Sequence, residues 1–169
     1  ALQQLAAEIY LYDVNRNDPT AAAAALVKGN NRAGFPETGF TRMTTVQAEQ
    51  FVQRYQVVDQ HANDATGFSA TLLFDAPTNR YTLSFRSSEY AADADGGDRT
   101  RDILGAGAEI KNAGFAFAQL VSMTRYFDDL QQGKKSDGTI DPSLAAFFGN
   151  SQNQLNVTGY SLGGHLATV

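Results

Sequence analysis

Two glycines and a serine near the end of the chain narrow its folding choices more than anything that precedes them. The segment Val157-Thr-Gly-Tyr-Ser-Leu-Gly-Gly-His-Leu-Ala167 contains Gly159-x-Ser161-x-Gly163, the spacing of a nucleophile elbow. In such an elbow the chain leaves a strand and enters a helix so sharply that the serine stands up from the sheet. Glycines flank the serine because a side chain there would meet the neighbouring backbone. The surroundings agree. Gln154-Leu-Asn-Val-Thr158 predicts a short strand, and Leu162 to Val169 opens as a helix. A strand of this kind needs a sheet to belong to and helices to cover it, which points to α/β layers.

The remaining pattern supplies those layers. Leu2, Leu5, Ala6, Ile9 and Asp13 or Tyr12 follow helical spacing and predict a first amphipathic helix. Asp18-Pro19 predicts an N-cap and first turn for a helix over Thr20 to Lys28, stopped by Gly29. Its alanine run is the strongest helix former repeated, not low complexity. Asn30 to Thr41 reads as loop. Thr44 and Gln47 have capping-box spacing and open a helix through Tyr55. Phe68, Ala70, Leu72 and Phe74 then alternate as a strand, Asp75-Ala-Pro-Thr-Asn79 turns, and Tyr81, Leu83 and Phe85 mark the next strand, ending at Arg86. A loop from Tyr90 to Gly107 leads to a long helix marked by Ala113, Phe117, Leu120, Thr124 and Phe127, ending near Gly133. Asp141-Pro142 caps a short helix stopped by Gly149. Helical spacing assigns Phe115, Phe117, Phe127, Phe147 and Phe148 to core packing over an acyl-binding surface.

Composition removes several function classes. The 169 residues suit one domain or most of one. A net charge of −5 and an isoelectric point near 4.9 argue against nucleic-acid binding, which needs a clustered basic face. No Lys/Arg run marks a membrane-surface patch, and no apolar run approaches a membrane span. The chain has no cysteine, so neither a disulfide framework nor thiolate chemistry is available; that composition suits an exported protein. Ala1 to Asp13 lacks the layout of a signal peptide, and the missing initiator Met points to a trimmed or processed chain.

Phe85-Arg86-Ser87-Ser88 at a strand end, followed by a loop, a long helix and Gly159-Tyr-Ser-Leu-Gly-Gly-His165, resembles the class 3 (fungal-type) lipase family of α/β-hydrolases and related bacterial lipases and phospholipases. The resemblance covers roughly Gly67 to Val169. It departs from the family pattern at Tyr160, where His is usual, at His165, where Ala is usual, and at Ser87, where Gly is usual. The resemblance implies a mostly parallel central sheet flanked by helices, with residues 1–169 forming the N-terminal portion of a single hydrolase domain. It further implies Ser161 as the nucleophile, Ser88 as an oxyanion-hole donor, and Asp102 as support for that serine. The backbone N–H of Leu162, the residue after the nucleophile, completes the hole. The expected substrate is a lipid or other acyl ester, reached by transient contact with a lipid interface, and serine chemistry of this kind needs no cofactor.

The triad is the unresolved part. A serine nucleophile needs a base, usually His held by an acid, and in this fold both follow the serine in the chain. His61 precedes Ser161, and His165 sits on the elbow helix, where packing is the expected role. The catalytic acid and histidine are therefore expected on a C-terminal segment or second polypeptide, and without them the chain would be a non-catalytic binding module. Asp93, Asp95 and Asp98 resemble the start of a calcium loop, but Leu104 stands where the EF-hand places glutamate. A solvated acidic loop paired with Arg99 and Arg101 is the competing reading.

Overall fold

The computed structural model describes residues 1–9, 11, 14–15, 17–29, 41–89 and 99–169. Seven helices are described: α1 (Leu2–Ala7), α2 (Pro19–Lys28), α3 (Thr45–Arg54), α4 (Gly107–Ala113), α5 (Phe117–Gln131), α6 (Pro142–Gly149) and α7 (Leu162–Leu166). Four strands, β1 (Tyr55–His61), β2 (Ala70–Asp75), β3 (Arg80–Phe85) and β4 (Leu155–Gly159), lie in the order β1-β2-β3-β4. The acidic loop with Asp93, Asp95 and Asp98 lies outside the described residues.

The layers follow from alternation along β2. Leu73 joins a core with Ile9, Leu11, Leu26 and Phe51 beneath α1–α3. Its neighbour Leu72 joins Phe68, Leu83, Tyr126, Leu130 and Leu144 beneath α5 and α6. Successive side chains of a strand point to opposite faces, so both faces of β2 are covered and the sheet is sandwiched between helices. The α/β class is as the sequence predicts.

The expected mostly parallel sheet is not what forms. β1–β2 and β2–β3 are antiparallel, and only β3–β4 is parallel. Connection length explains the difference. A single 3₁₀ turn, Ala76–Thr78, closes β2 onto β3, with Asn79 in the left-handed region at φ 52°. So tight a link can join only antiparallel neighbours. The segment from Ser87 to Gln154 carries helices and is long enough for a parallel crossover. The expected long helix is also two, because Gly114 (φ 85°) ends α4 before α5 begins. At that break Phe115 and Phe117 are 44% and 52% exposed and pack on one another, with ring centroids 5.9 Å apart. For these two the core assignment is corrected. Phe147 packs on Tyr81 and Phe148 on Phe127, as expected.

The caps read from sequence form. Asp18 accepts from the N–H groups of Thr20 and Ala21, and Thr44 and Gln47 close a full capping box. Asp141 caps α6 through the Ser143 N–H at 3.0 Å and pairs with Lys135 Nζ at 3.1 Å. The Ser143 hydrogen bonds, followed by the Lys135 pairing, outweigh burial and lower the Asp141 carboxyl to about 2. A carboxyl lowered in the folded state contributes stability above its unfolded pKa and loses it as pH falls through the folded one. Asp141→Ala is therefore expected to cost about 1 kcal/mol at neutral pH. In denaturant titrations the deficit should shrink between about pH 4 and pH 2; a deficit that persists unchanged at pH 2 would show that the carboxylate is not its source.

Candidate active site

The parallel pair β3–β4 brings two chain segments to the same end of the sheet. The ladder closes with Phe85 opposite Gly159. Beyond it, β3 continues into Arg86-Ser87-Ser88 and β4 turns through Ser161 into α7. Ser88 and Ser161, predicted from sequence to share a site, thus leave the carboxyl ends of adjacent parallel strands.

Ser161 is held at φ 53° and ψ −119°, a region that non-glycine residues seldom occupy and that costs roughly 1–3 kcal/mol. The surrounding packing keeps it there. A Cβ on Gly159 would lie 2.0 Å from the Gly163 carbonyl oxygen, and one on Gly163 would lie 2.4 Å from that of Phe85 and 2.6 Å from that of Arg86. Both flanking positions therefore admit only glycine, and the turn jams the first turn of α7 against the end of β3. Ser161 itself is exposed. Leu162 is buried with Ala106 and Ala116, and its N–H belongs to the first helical turn, whose donors have no partner within the helix.

The segment bearing Ser88 is tied down by buried charge. Glu89, 1% exposed, gives its N–H to Asp102 at 2.6 Å and accepts from Asn63 at 2.9 Å. Asp102, 3% exposed, also accepts from Gln119 at 2.9 Å. It sits in the π-type turn Thr100–Ala106 leading into α4, so it braces the backbone immediately after Ser88. Asp102, expected from the sequence to support Ser88, bonds the residue after it, whereas Glu8, which accepts from both the N–H and hydroxyl of Ser87, carries no sequence signal. No sequence pattern marks that pairing, because the partners lie 79 residues apart.

The two histidines separate clearly. His61 ends β1, and the register runs His61–Ala70–Phe85–Gly159 across the whole sheet. Three strand spacings place it about 14 Å from the elbow. There its ring packs on Tyr126 and Phe68, with Nδ1 3.4 Å from Ser136 Oγ and Nε2 3.7 Å from Asp64. Burial pushes the Asp64 carboxyl up, but the neighbouring His61 ring and the hydrogen bonds from Thr66 hold it well below the usual carboxylate range. His165 lies one turn after Ser161 and donates its backbone N–H to the Ser161 carbonyl at 3.0 Å. Its ring packs against Phe115, 5.9 Å between centroids, and its Nε2 is buried without a hydrogen bond. No group of three or more His, Cys, Asp or Glu able to hold a metal occurs among the described residues.

Comparison with known proteins adds no neighbour: no family model matches the chain, and neither a curated protein nor a solved structure matches it.

Proposed function

We propose that this chain carries the nucleophile half of a serine ester hydrolase of the α/β-hydrolase type, acting on lipid acyl esters as a lipase or phospholipase A1 does. The observation that carries the reading is Ser161 at positive φ between two glycines that no larger residue can replace. A strained, exposed serine at the carboxyl end of a parallel strand presents its Oγ to an incoming carbonyl carbon. Attack places negative charge on the carbonyl oxygen. The Leu162 N–H and Ser88 are the donors that would receive it, and preorganised donors of this kind lower the barrier by a few kcal/mol. Collapse of the tetrahedral intermediate expels the alcohol and leaves an acyl-enzyme on Ser161, which water then hydrolyses.

The base belongs, in this proposal, to polypeptide outside the described residues, carrying an acid and then a histidine. It would add to the sheet along β4. Four observations support that placement. Pro142 to Val169 contains no Asp, Glu, Lys or Arg in a chain that is 18% charged, and charge depletion marks surface that becomes buried. β4 also pairs with β3 without a bulge and leaves Val157 46% exposed. Beside it lies an apolar groove of about 500 Å³ lined by Leu83, Phe85, Met123, Phe127, Val157 and Leu166. The opposite edge is blunted: β1 carries a bulge between Val57 and Asp59, and Gln60 ties to the backbone of Ile9 and Leu11. Unblunted edges recruit strands, so the fitting occupant is a strand with apolar alternate residues.

The deciding experiment treats the intact protein, and residues 1–169 alone, with an organophosphonate probe and maps the adduct by mass spectrometry. An activated serine reacts and an ordinary serine does not, so the adduct is expected on Ser161 in the intact protein only. No adduct in either would favour a non-catalytic binding module. Full reactivity of residues 1–169 by themselves would overturn the external base and return attention to His165.

A further inference from the structure

Helix α1 touches both halves of the site. The Gln4 side-chain amide donates to Thr158 Oγ1 at 2.8 Å and to the Gly159 carbonyl at 3.0 Å, the last two residues of β4 before the elbow. One turn later the Glu8 carboxylate accepts from the Ser87 N–H at 2.8 Å and from the Ser87 hydroxyl at 2.7 Å. The Glu8 carbonyl accepts from the Arg86 guanidinium at 3.3 Å. Residues four apart lie one above the other on a helix face, so Gln4 in α1 meets the end of β4 just before the nucleophile, and Glu8, the C-cap of α1, meets the segment that follows β3 just before Ser88. Glu8 is 6% exposed, where a carboxylate hydrogen bond is shorter and stronger than a neutral one.

We infer that Gln4 and Glu8 are positioning residues, which together set the separation of the nucleophile and the oxyanion donor. The inference rests on the hydrolase reading of Ser161 and Ser88. The β3–β4 ladder ends at Phe85 and Gly159; past that point the packing of Gly163 on the Phe85 and Arg86 carbonyls holds the elbow side, and no sheet hydrogen bond fixes the segment that carries Ser88. The α1 face closes this gap from one side. Ser87 is pinned to Glu8 and Glu89 to Asp102, so Ser88 between them keeps little freedom beyond its own rotamer. Ser87 replaces the glycine of the lipase pattern, and its hydroxyl supplies the second bond to Glu8, a contact glycine could not make. Displacing a reacting group by 1 Å costs about 100-fold in rate, so the device acts on turnover and not on substrate affinity.

Steady-state kinetics and hydrogen exchange on the intact protein test this with Glu8→Ala, Glu8→Gln, Gln4→Ala and the Gln4/Glu8 double alanine variant. Glu8→Ala is expected to lower kcat by about 10- to 100-fold with KM nearly unchanged. Amides of residues 87–89 should exchange at least about tenfold faster while those of β2 keep their protection. Glu8→Gln should recover most of the rate, since its Oε1 still accepts the Ser87 N–H and its amide can donate to the hydroxyl. Gln4→Ala should act in the same direction, and the double variant should lose less than the product of the single losses, because both residues control one separation. A Glu8→Ala enzyme within about twofold of wild-type kcat would overturn the inference. So would a slower enzyme whose β2 amides loosen equally, which marks a purely structural residue. Wild-type protein that neither turns over an ester nor accepts the phosphonate would refute the hydrolase reading itself, while the exchange pattern still reports whether α1 holds the Ser88 segment.

Discussion

Ser161→Ala is expected to abolish p-nitrophenyl ester hydrolysis by the intact protein and to leave its fold in place. Deleting the nucleophile of a triad removes several orders of magnitude of turnover. The fold survives, since the Ser161 side chain is exposed and makes no cap hydrogen bond. Alanine tolerates φ 53° no better than serine does, so the strain of the turn persists and the melting temperature should move little. Ser88→Ala provides the comparison. On the proposed reading it removes a donor to the developing charge, so kcat should fall by about two orders of magnitude with KM little changed. Correctly folded Ser161→Ala protein that keeps activity within about tenfold of wild type would end the nucleophile assignment. A rise in KM alone for Ser88→Ala would make Ser88 a substrate-binding residue.

What the sequence disclosed depended on whether the responsible interactions were local. Caps at Asp18, Thr44 and Asp141 were legible because a cap is made by residues two or three apart. The elbow was legible for the same reason: five consecutive positions carry the steric demand. β1 was not. No breaker separates Arg54, the last residue of α3, from Tyr55, the first of β1. The strand's alternation is further broken by the bulge at Val57/Asp59, and its inner positions are polar. Asp59 and Gln60 are buried there only because partners distant in the chain receive them: Tyr126 and Ser136 bond Asp59, while Ile9, Leu11 and Thr71 bond Gln60. The same holds at the site. Ser88 and Ser161 stand out in two short motifs, whereas the contacts of Gln4 and Glu8 appear only with α1 set against the ends of β3 and β4. A polar residue in a short amphipathic helix carries no sign of its partner.

Three glycines within six positions give the sharpest test of the elbow, because they should respond to alanine with opposite signs. Gly159→Ala would drive a methyl to 2.0 Å from the Gly163 carbonyl oxygen. Gly163→Ala would drive one to 2.4 Å from the Phe85 oxygen and 2.6 Å from the Arg86 oxygen. Every obstructing atom is backbone, so no side chain can swing aside. Relief would require lifting α7 off the end of β3, carrying Ser161 and the Leu162 N–H away from Ser88. Each substitution should cost about 3 kcal/mol or more and suppress phosphonate labelling beyond the loss of stability. Gly164 lies inside α7 with ordinary helical φ, and a Cβ there would sit 3.5 Å from the Gly159 oxygen, an ordinary contact. Since glycine in a helix interior is worse than alanine by about 0.5–1 kcal/mol, Gly164→Ala should be neutral or mildly stabilising and keep its labelling. Denaturant unfolding of the three variants, read beside probe incorporation, separates these outcomes. If Gly163→Ala unfolds within about 1 kcal/mol of wild type, the α7–β3 contact is not the constraint. The case for Ser161 as a sterically enforced nucleophile then loses its physical basis.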